Sequence, residues 1–311
     1  MWSAILSLPR LCLSLSLVST VLSAPTVARD ECSKPSVRRE WRNLSNEQKT
    51  AYHNAVKCIQ KKGSVIDSGG RSQNKLDDFT YVHYELRDIV HRVAAFLPWH
   101  RWFLELHIEE LTKCGYTDPM PFWDWTRDSG TAAKFLSSEM FHPKKGFGSL
   151  GLVEACVEDG PYANLQVNIP APHCLTRGFD PKTIEPKQWT KAEIRKIMDN
   201  SDYVNFWNQT ERIPHDKIHN AVGGDLKEHY SPNDPLFYLH HAQIDRMWTL
   251  WQGRNKTRLY DYAGNTVQNT TTNTALLNDM MPMLDLAESR NVEGFMDTQA
   301  NGLCYTYEDD E

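Results

Sequence analysis

The feature that most constrains this chain is a pair of adjacent histidines inside an apolar helical stretch, NDPLFYLHHAQIDRMW, residues 233–248. Pro235 predicts a helix that begins near residue 236 and runs to about residue 252. His240 and His241 flank the apolar stripe of this helix, one about 50° to either side. Helical periodicity therefore does not decide which imidazole binds a ligand. Asp245, four residues after His241, is a candidate acceptor for its ring and favours His241.

A second pair of histidines stands in the motif PHDKIH. His215 and His219 are four residues apart on a helix predicted at about 212–222, so their imidazoles lie on one face and can share a metal ion. A zinc hydrolase of the H-E-x-x-H type has a glutamate as general base at the position of Asp216. The aspartate is one methylene shorter, which disfavours a zinc hydrolase.

A third group of histidines lies upstream. His83 and His91 are eight residues apart on a helix predicted over 76–97, with their side chains about 80° apart around its axis. His100 follows Pro98, which is predicted to end or kink that helix. On the next helix, predicted over 99–113, His100 shares a face with apolar residues and points inward.

The remaining pattern predicts a mainly α-helical protein. Further helices are predicted at about 45–61 and 190–199. Residues 115–188 are rich in proline and glycine, which indicates loops and a few short strands wrapped over the helical core. The polar stretch 253–274 is predicted to be a surface loop. With no repeat and no linker, residues 25–311 are interpreted as a single domain.

Charge excludes some functions. Lys and Arg number 34 against 40 Asp and Glu, a formal net charge of −6. Such a balance does not favour binding to nucleic acid or to an anionic membrane.

The N-terminus and the cysteines indicate a secreted protein. Residues 1–24 have the pattern of a secretory signal peptide, with an apolar run that is too short to span a membrane. Six cysteines remain after Cys12 leaves with this leader, which predicts up to three disulfides, with Cys156 and Cys174 as the local candidate pair. Glycosylation sequons begin at Asn43, Asn208, Asn255 and Asn269.

Several motifs together resemble one family. HRVAAFLPWHRWFLEL, PFWDW, PHDKIHNAVGGD and SPNDPLFYLHHAQIDRMWTLWQ are similar to the paired copper-binding regions of the tyrosinase and catechol oxidase family, and GLCYTY resembles the tyrosine motif that closes its catalytic core. The resemblance covers residues 38–307. It implies a four-helix-bundle core that holds two copper ions, a type 3 dinuclear centre. The implied ligands of one ion are His83, His91 and His100, and those of the other are His215, His219 and His241, with His240 packed beside them.

The resemblance also implies an activity, the oxidation of ortho-diphenols (catechols) to ortho-quinones by dioxygen, and ligands made only of imidazoles suit copper. The implied partners are a phenolic small molecule and dioxygen. Members that hydroxylate monophenols often have Asn directly after the first ligand of the second group and a glutamate that holds a water. Here Asp216 stands at the first position and Glu211 resembles the glutamate, so monophenol hydroxylation is expected to be weak.

Three further expectations follow from the resemblance. The alternative function is a hemocyanin-like dioxygen-binding protein. The chain ends four residues after the YTY motif, which predicts no C-terminal lid over the site and favours an open enzyme. Some members carry a cysteine–histidine thioether, but Ile89 stands two residues before His91 and no cysteine is close in sequence to a candidate ligand, so none is expected here.

Overall fold

The computed structural model describes residues 1–2, 32–181 and 184–309. Nearly all of the predicted signal peptide, and residues 25–31 of the predicted domain, lie outside the described residues. The α-helices of the described part are α1 (Asn46–Lys61), α2 (Lys75–Val90), α3 (Phe96–Thr112), α4 (Ala132–Leu136), α5 (Lys191–Met198), α6 (Tyr203–Thr210), α7 (Asp216–Val222) and α8 (Leu236–Gly253).

Most predicted helices are present, and local chemistry explains their ends. The first begins where predicted because the Ser45 side chain accepts from the Gln48 backbone while the Gln48 side chain accepts from the Ser45 backbone, a capping box. Its apolar residues Tyr52, Val56 and Ile59 are buried. Two short helices, α4 and α6, were not predicted.

The break between α2 and α3 differs from the prediction. Helix α2 ends at Val90 rather than near residue 97. Pro98 does not end a helix: it lies in the first turn of α3, where a backbone N–H has no partner within the helix anyway. The chain turns instead at residues 91–95, where Arg92 adopts a left-handed conformation with φ of 58°.

The strands are short and form two-stranded pairs in the described part of the chain. Strand β1 (Ser36–Arg38) pairs in parallel with β8 (Tyr305–Tyr307). The antiparallel pairs are β2 (Ala155–Cys156) with β5 (Thr176–Arg177), β3 (Gln166–Val167) with β4 (His173–Cys174), and β6 (Met280–Met281) with β7 (Arg290–Asn291). These pairs tie loops onto the helices, so the mainly α-helical fold class is confirmed.

Helices α2, α3 and α8 form the core of a helical bundle, and α7 joins it where the His219 ring lies 6.1 Å from the Phe237 ring of α8. Helix α3 packs along α8, and α2 packs against both α1 and α3. An ion pair joins α3 to α8, because Arg101 Nε lies 2.6 Å from Asp245 Oδ1 and both side chains are buried. The two tyrosines of β8, Tyr305 and Tyr307, donate their hydroxyls to Asp245 Oδ2 at 2.8 and 2.5 Å. This network fixes the closing strand to the bundle.

Three disulfides link the described cysteines: Cys32–Cys304, Cys58–Cys114 and Cys156–Cys174. The predicted number and the local pair are therefore confirmed. Searching the described residues for a helix long and apolar enough to cross a bilayer finds none.

Candidate metal centre

Seven histidines meet inside the bundle in two groups. In each group the candidate ligand atoms lie within 4.8 Å of one another. The first group is His83, His91 and His100, and the second is His215, His219, His240 and His241. The fold therefore brings together every histidine that the sequence nominated, and it joins His240 to the second group. The two groups adjoin, since the His91 and His215 rings are 6.0 Å apart and the His100 and His241 rings stack at 4.3 Å.

The first group depends on the turn after α2. His83 lies on α2, His91 is the residue that follows its last turn, and His100 lies on α3. Because the chain reverses at Arg92, the His91 ring turns back to 4.9 Å from the His83 ring and 5.1 Å from the His100 ring. Sequence spacing alone could not show this reversal.

The second group depends on an irregular turn. Residues Glu211–His215 form a π-helical turn between α6 and α7, and Pro214 lies inside it. Proline lacks the N–H that a regular helix would use, and π turns are frequent at functional sites. His215 ends this turn and His219 lies one turn further on α7, which places their ring centroids 4.4 Å apart.

Backbone carbonyls orient five of these imidazoles through the Nδ1 atom. His83 Nδ1 bonds to His229 O at 2.7 Å, His100 Nδ1 to Phe96 O at 2.7 Å, and His91 Nδ1 to Arg87 O at 3.1 Å. His219 Nδ1 bonds to Leu226 O, and His215 Nδ1 to Glu211 O at 3.3 Å. A carbonyl only accepts, so Nδ1 carries the hydrogen and Nε2 carries the lone pair.

The lone pairs point at each other in a buried space. Nε2 of His83, His100 and His215 is buried and has no hydrogen-bond partner among the described residues. Burial first, and then repulsion between neighbouring imidazoles, lowers the pKa of all three rings well below the usual range. Neutral imidazoles with converging, unsatisfied Nε2 atoms are what a metal ion needs, so the residues present fit copper.

His240 and His241 differ in what they face. His241 Nε2 lies 3.4 Å from His219 Nε2. Two nitrogens that bind one ion tetrahedrally at about 2.0 Å are separated by about 3.3 Å, so this spacing fits a shared metal. The His241 ring also faces His100 of the first group, whereas the His240 ring approaches His219 at 4.7 Å and Trp125 at 6.5 Å. His241 thus differs from His240 in contacting the first group, while the His240 ring also lies 5.4 Å from the His215 ring of the second group.

The predicted role of Asp245 is wrong. Its carboxylate accepts from Arg101, Arg38, Tyr305 and Tyr307, and His241 Nδ1 has no hydrogen-bond partner in the described part of the chain. One turn of helix separates the two residues, but the carboxylate is engaged by two arginines and two tyrosines instead of by the imidazole. Asp245 therefore stabilises the bundle rather than the His241 ring.

The two predicted acids lie beside the histidines and share a residue that the sequence did not nominate, Arg92. Its backbone N–H donates to Glu211 Oε1 at 2.7 Å, and its guanidinium pairs with Asp216 Oδ2. Trp207 Nε1 also donates to Glu211, at 3.0 Å, while Asp216 Oδ1 lies 3.0 Å from His215 Nδ1. Burial raises the pKa of Glu211 to about 7, although the Arg92 charge opposes this.

A cavity of about 380 Å³ opens onto both groups. Its lining includes His83, His91, His215, His219, Glu211 and Asp216. Gln268, from the stretch predicted to be a surface loop, also lines it and donates to His91 O at 3.0 Å. Asn265 donates to Arg92 O at 2.8 Å. The 253–274 stretch is thus partly a wall of the site, which its polar composition did not reveal.

The expected absence of a thioether agrees with the disulfides. All six cysteines between residues 32 and 304 are paired with one another. Within the described ranges no cysteine is left to bond a histidine ring.

Comparisons with known proteins point to one family and one fold. The family model described as the common central domain of tyrosinase matches residues 73–254. The tyrosinase-like protein phomQ1 of Diaporthe leptostromiformis is 36% identical over 312 residues, covering 89% of this chain and 79% of the relative. Tyrosinase ustQ of Aspergillus flavus is 36% identical over 294 residues, covering 89% and 80%. A polyphenol oxidase structure from Thermothelomyces thermophila has a TM-score of 0.77 and 24% identity, covering 88% of this chain and 89% of that one.

Proposed function

Because the chain belongs to the tyrosinase family, whose members include oxidoreductases with a dinuclear copper centre, we propose that it oxidises ortho-diphenols to ortho-quinones with dioxygen. The observation that carries the proposal is the pair of adjoining histidine groups whose candidate ligand atoms converge, with Nε2 of His83, His100 and His215 left without a hydrogen-bond partner among the described residues. His83, His91 and His100 would hold one copper ion. His215, His219 and His241 would hold the other.

The proposed reaction is balanced by dioxygen. Two ortho-diphenols each lose two electrons and two protons, and one dioxygen takes up all four of each to give two waters. Bound copper ions supply the exchange of electrons between phenol and dioxygen, which organic side chains do not provide. The protein's own part is to hold six neutral imidazoles, to exclude bulk water from them, and to admit a phenol through the cavity at Glu211 and Asp216.

Hydroxylation of monophenols is proposed as a weaker second activity. A monophenol must first lose its hydroxyl proton, whose pKa is ~10 in water, so a placed base is required. Glu211 is 1% exposed and faces the same cavity as the histidines. Asp216 is a carboxylate beside it, and its negative charge opposes the approach of a phenolate. This combination favours diphenols over monophenols.

Copper analysis and oxygen uptake test the proposal together. The purified protein is expected to bind two copper ions per chain and to turn catechol into a coloured quinone, consuming one dioxygen for every two catechols. His100→Ala is expected to lower the copper content and abolish turnover. His107→Phe is the matched control, because His107 is a buried histidine on the same helix α3 outside both groups.

Several outcomes would contradict the oxidase. Zinc, or a single metal ion per chain, would contradict the dinuclear copper centre. Reversible dioxygen binding without consumption of catechol would instead indicate a hemocyanin-like carrier. Equal copper loss in His107→Phe and His100→Ala would show that the two groups are not the metal sites.

We also propose that the protein is secreted and glycosylated. Disulfides persist mainly in oxidising compartments, and three are present. Sequons at Asn43, Asn255 and Asn269 lie on exposed residues. Expression in a eukaryotic host is expected to deliver the protein to the medium, with N-glycosidase lowering its mass. Retention inside the cell with free thiols and an unchanged mass would refute this.

A further inference from the structure

One short segment contacts a histidine of each metal group. Residues 224–231, here called the bridging segment, follow α7 and meet α2 at His83 and at Tyr84, whose ring lies 6.4 Å from the Tyr230 ring. Leu226 O accepts from His219 Nδ1 of the second group. Three residues later, His229 O accepts from His83 Nδ1 of the first group at 2.7 Å. The orientations of two imidazoles in different groups thus depend on the same stretch of backbone.

Asp225 fixes the bridging segment in place. Its side chain is fully buried, and both carboxylate oxygens are occupied. Oδ1 accepts from His173 Nε2 at 2.9 Å and from Asn233 Nδ2 at 2.8 Å. Oδ2 accepts from the backbone N–H and the hydroxyl of Thr176, both at 2.8 Å. One side chain therefore ties the segment to β4, to β5 and to the chain just before α8.

The two glycines before Asp225 permit this close packing. Gly223 and Gly224 have φ of 67° and 50°, in the left-handed region. A Cβ at Gly223 would meet Gly178 O at 2.0 Å, and one at Gly224 would meet Thr176 O at 2.3 Å. The backbone after α7 is thus pressed against residues 176–178, which brings the Asp225 carboxylate to Thr176.

We propose that Asp225 is a positioning residue for both metal ions at once, acting through the bridging segment on His219 and His83. This rests on the proposed function, since it assumes that the two histidine groups bind metal. Asp225 itself contacts neither group of ligands in the described structure. Its effect runs through two carbonyls, Leu226 O and His229 O, which fix the ring orientation and keep the hydrogen on Nδ1.

The physical reason lies in how a metal-bound imidazole is held. A carbonyl that accepts from Nδ1 sets the plane of the ring and the direction of the Nε2 lone pair, and loss of such support lowers metal affinity about 10–100-fold. An asparagine at position 225 has one acceptor oxygen where the carboxylate has two. Its NH₂ group would therefore face N–H and O–H donors, either those of Thr176 or those of His173 and Asn233. The segment must then shift, and both carbonyls shift with it.

The proposal is tested by measuring the copper affinity of each of the two sites separately. Asp225→Asn is expected to weaken Cu(I) binding at both sites by about 10-fold or more in competition with a Cu(I) chelator. Asp78→Asn is the matched control: Asp78 is fully buried, lies on α2 five residues before His83, and accepts from Ser64, Val65 and Ser72. This variant is expected to lose stability but to keep both affinities.

A second readout does not need copper. In metal-free protein labelled with ¹⁵N-histidine, hydrogen-bonded Nδ1–H protons of His83 and His219 are expected far downfield, assigned with His83→Gln and His219→Gln. Asp225→Asn is expected to displace both signals, and Asp78→Asn neither. Thr176→Val removes the hydroxyl that donates to Asp225 Oδ2. It is expected to displace both Nδ1–H signals by a smaller amount, and it replaces Asp225→Asn in the test if that variant does not fold.

The outcomes separate the inference from the proposed function. If the wild-type protein binds no copper, the proposed function fails, while the Nδ1–H signals still decide whether Asp225 orients both rings. If the wild type binds two ions but Asp225→Asn weakens only one, or displaces only the His219 signal, the inference is overturned. Equal effects of Asp225→Asn and Asp78→Asn would overturn it as well.

Discussion

Replacing His241 with alanine is expected to leave one copper ion per chain, whereas His240→Ala is expected to keep two. His241 Nε2 lies 3.4 Å from His219 Nε2, and its ring stacks on His100 of the first group. With the proposed ligands, its removal would take away a metal bond at the point where the two groups meet. Catechol oxidation should therefore fall to background, because a single ion cannot complete the dinuclear centre.

The neighbouring histidine provides the control for this prediction. His240 is also fully buried, and neither of its ring nitrogens has a hydrogen-bond partner in the described structure. Its loss opens a cavity of the same size in the same helix without removing the nitrogen that faces His219. The copper content of both variants, measured by atomic absorption, shows whether His241 or His240 is the ligand. Two ions in His241→Ala and one in His240→Ala would reverse the assignment.

The adjacent histidines also show where sequence periodicity stops being informative. Both residues flank the apolar stripe of α8, and both are buried, so a helical wheel gives them equal weight. What distinguishes them is the neighbouring surface that each meets: His241 stacks on His100 of the first group, whereas His240 contacts His215 and His219 of its own group and reaches Trp125 on its other side. That difference is set by the packing of α8 against other elements. Local sequence does not contain it, and the choice of His241 as the ligand is an implication of the family resemblance that the His241→Ala and His240→Ala variants test.

The helical bundle itself could be predicted because its signals are local. The N-cap at Ser45 and the apolar periodicity of α1 and α8 act within a few turns, and the structure confirms them. The turn at Arg92 could not be predicted, because a non-glycine residue with positive φ is unfavourable on its own. It is held by distant partners, Glu211 and Asn265, which contact its backbone from two other parts of the chain.

The same limit explains the error at Asp245. An acid four residues after a histidine on a helix is well placed to accept from its ring, and that rule considers one helix alone. In the folded protein Arg101 from α3 and Arg38 from β1 reach the carboxylate. A charged donor outcompetes a neutral imidazole N–H, since hydrogen bonds between ions are the stronger ones.

Glu211→Gln is expected to lower the turnover of monophenols about 100-fold while leaving the oxidation of catechols nearly unchanged, because a placed base contributes typically 10²–10⁴-fold to such a step. Glutamine keeps the size of the side chain and one acceptor oxygen for the Arg92 N–H or for Trp207 Nε1. It cannot take the phenolic proton. Catechol oxidation depends chiefly on the two metal ions, so its rate should report that the centre is intact.

Two further variants make this last test specific. Glu288→Gln is the control, because Glu288 is an exposed glutamate outside the lining of the cavity that Glu211 lines, and its loss should leave both rates alone. Asp216→Asn is expected to raise the monophenol rate relative to the diphenol rate, since a neutral amide can donate to a phenolate oxygen that a carboxylate repels. All three variants are compared by their steady-state rates with a monophenol and the corresponding diphenol. If Glu211→Gln lowers both rates equally, Glu211 supports the metal centre rather than deprotonating the phenol. If Asp216→Asn leaves the ratio unchanged, the carboxylate paired with Arg92 does not control selectivity.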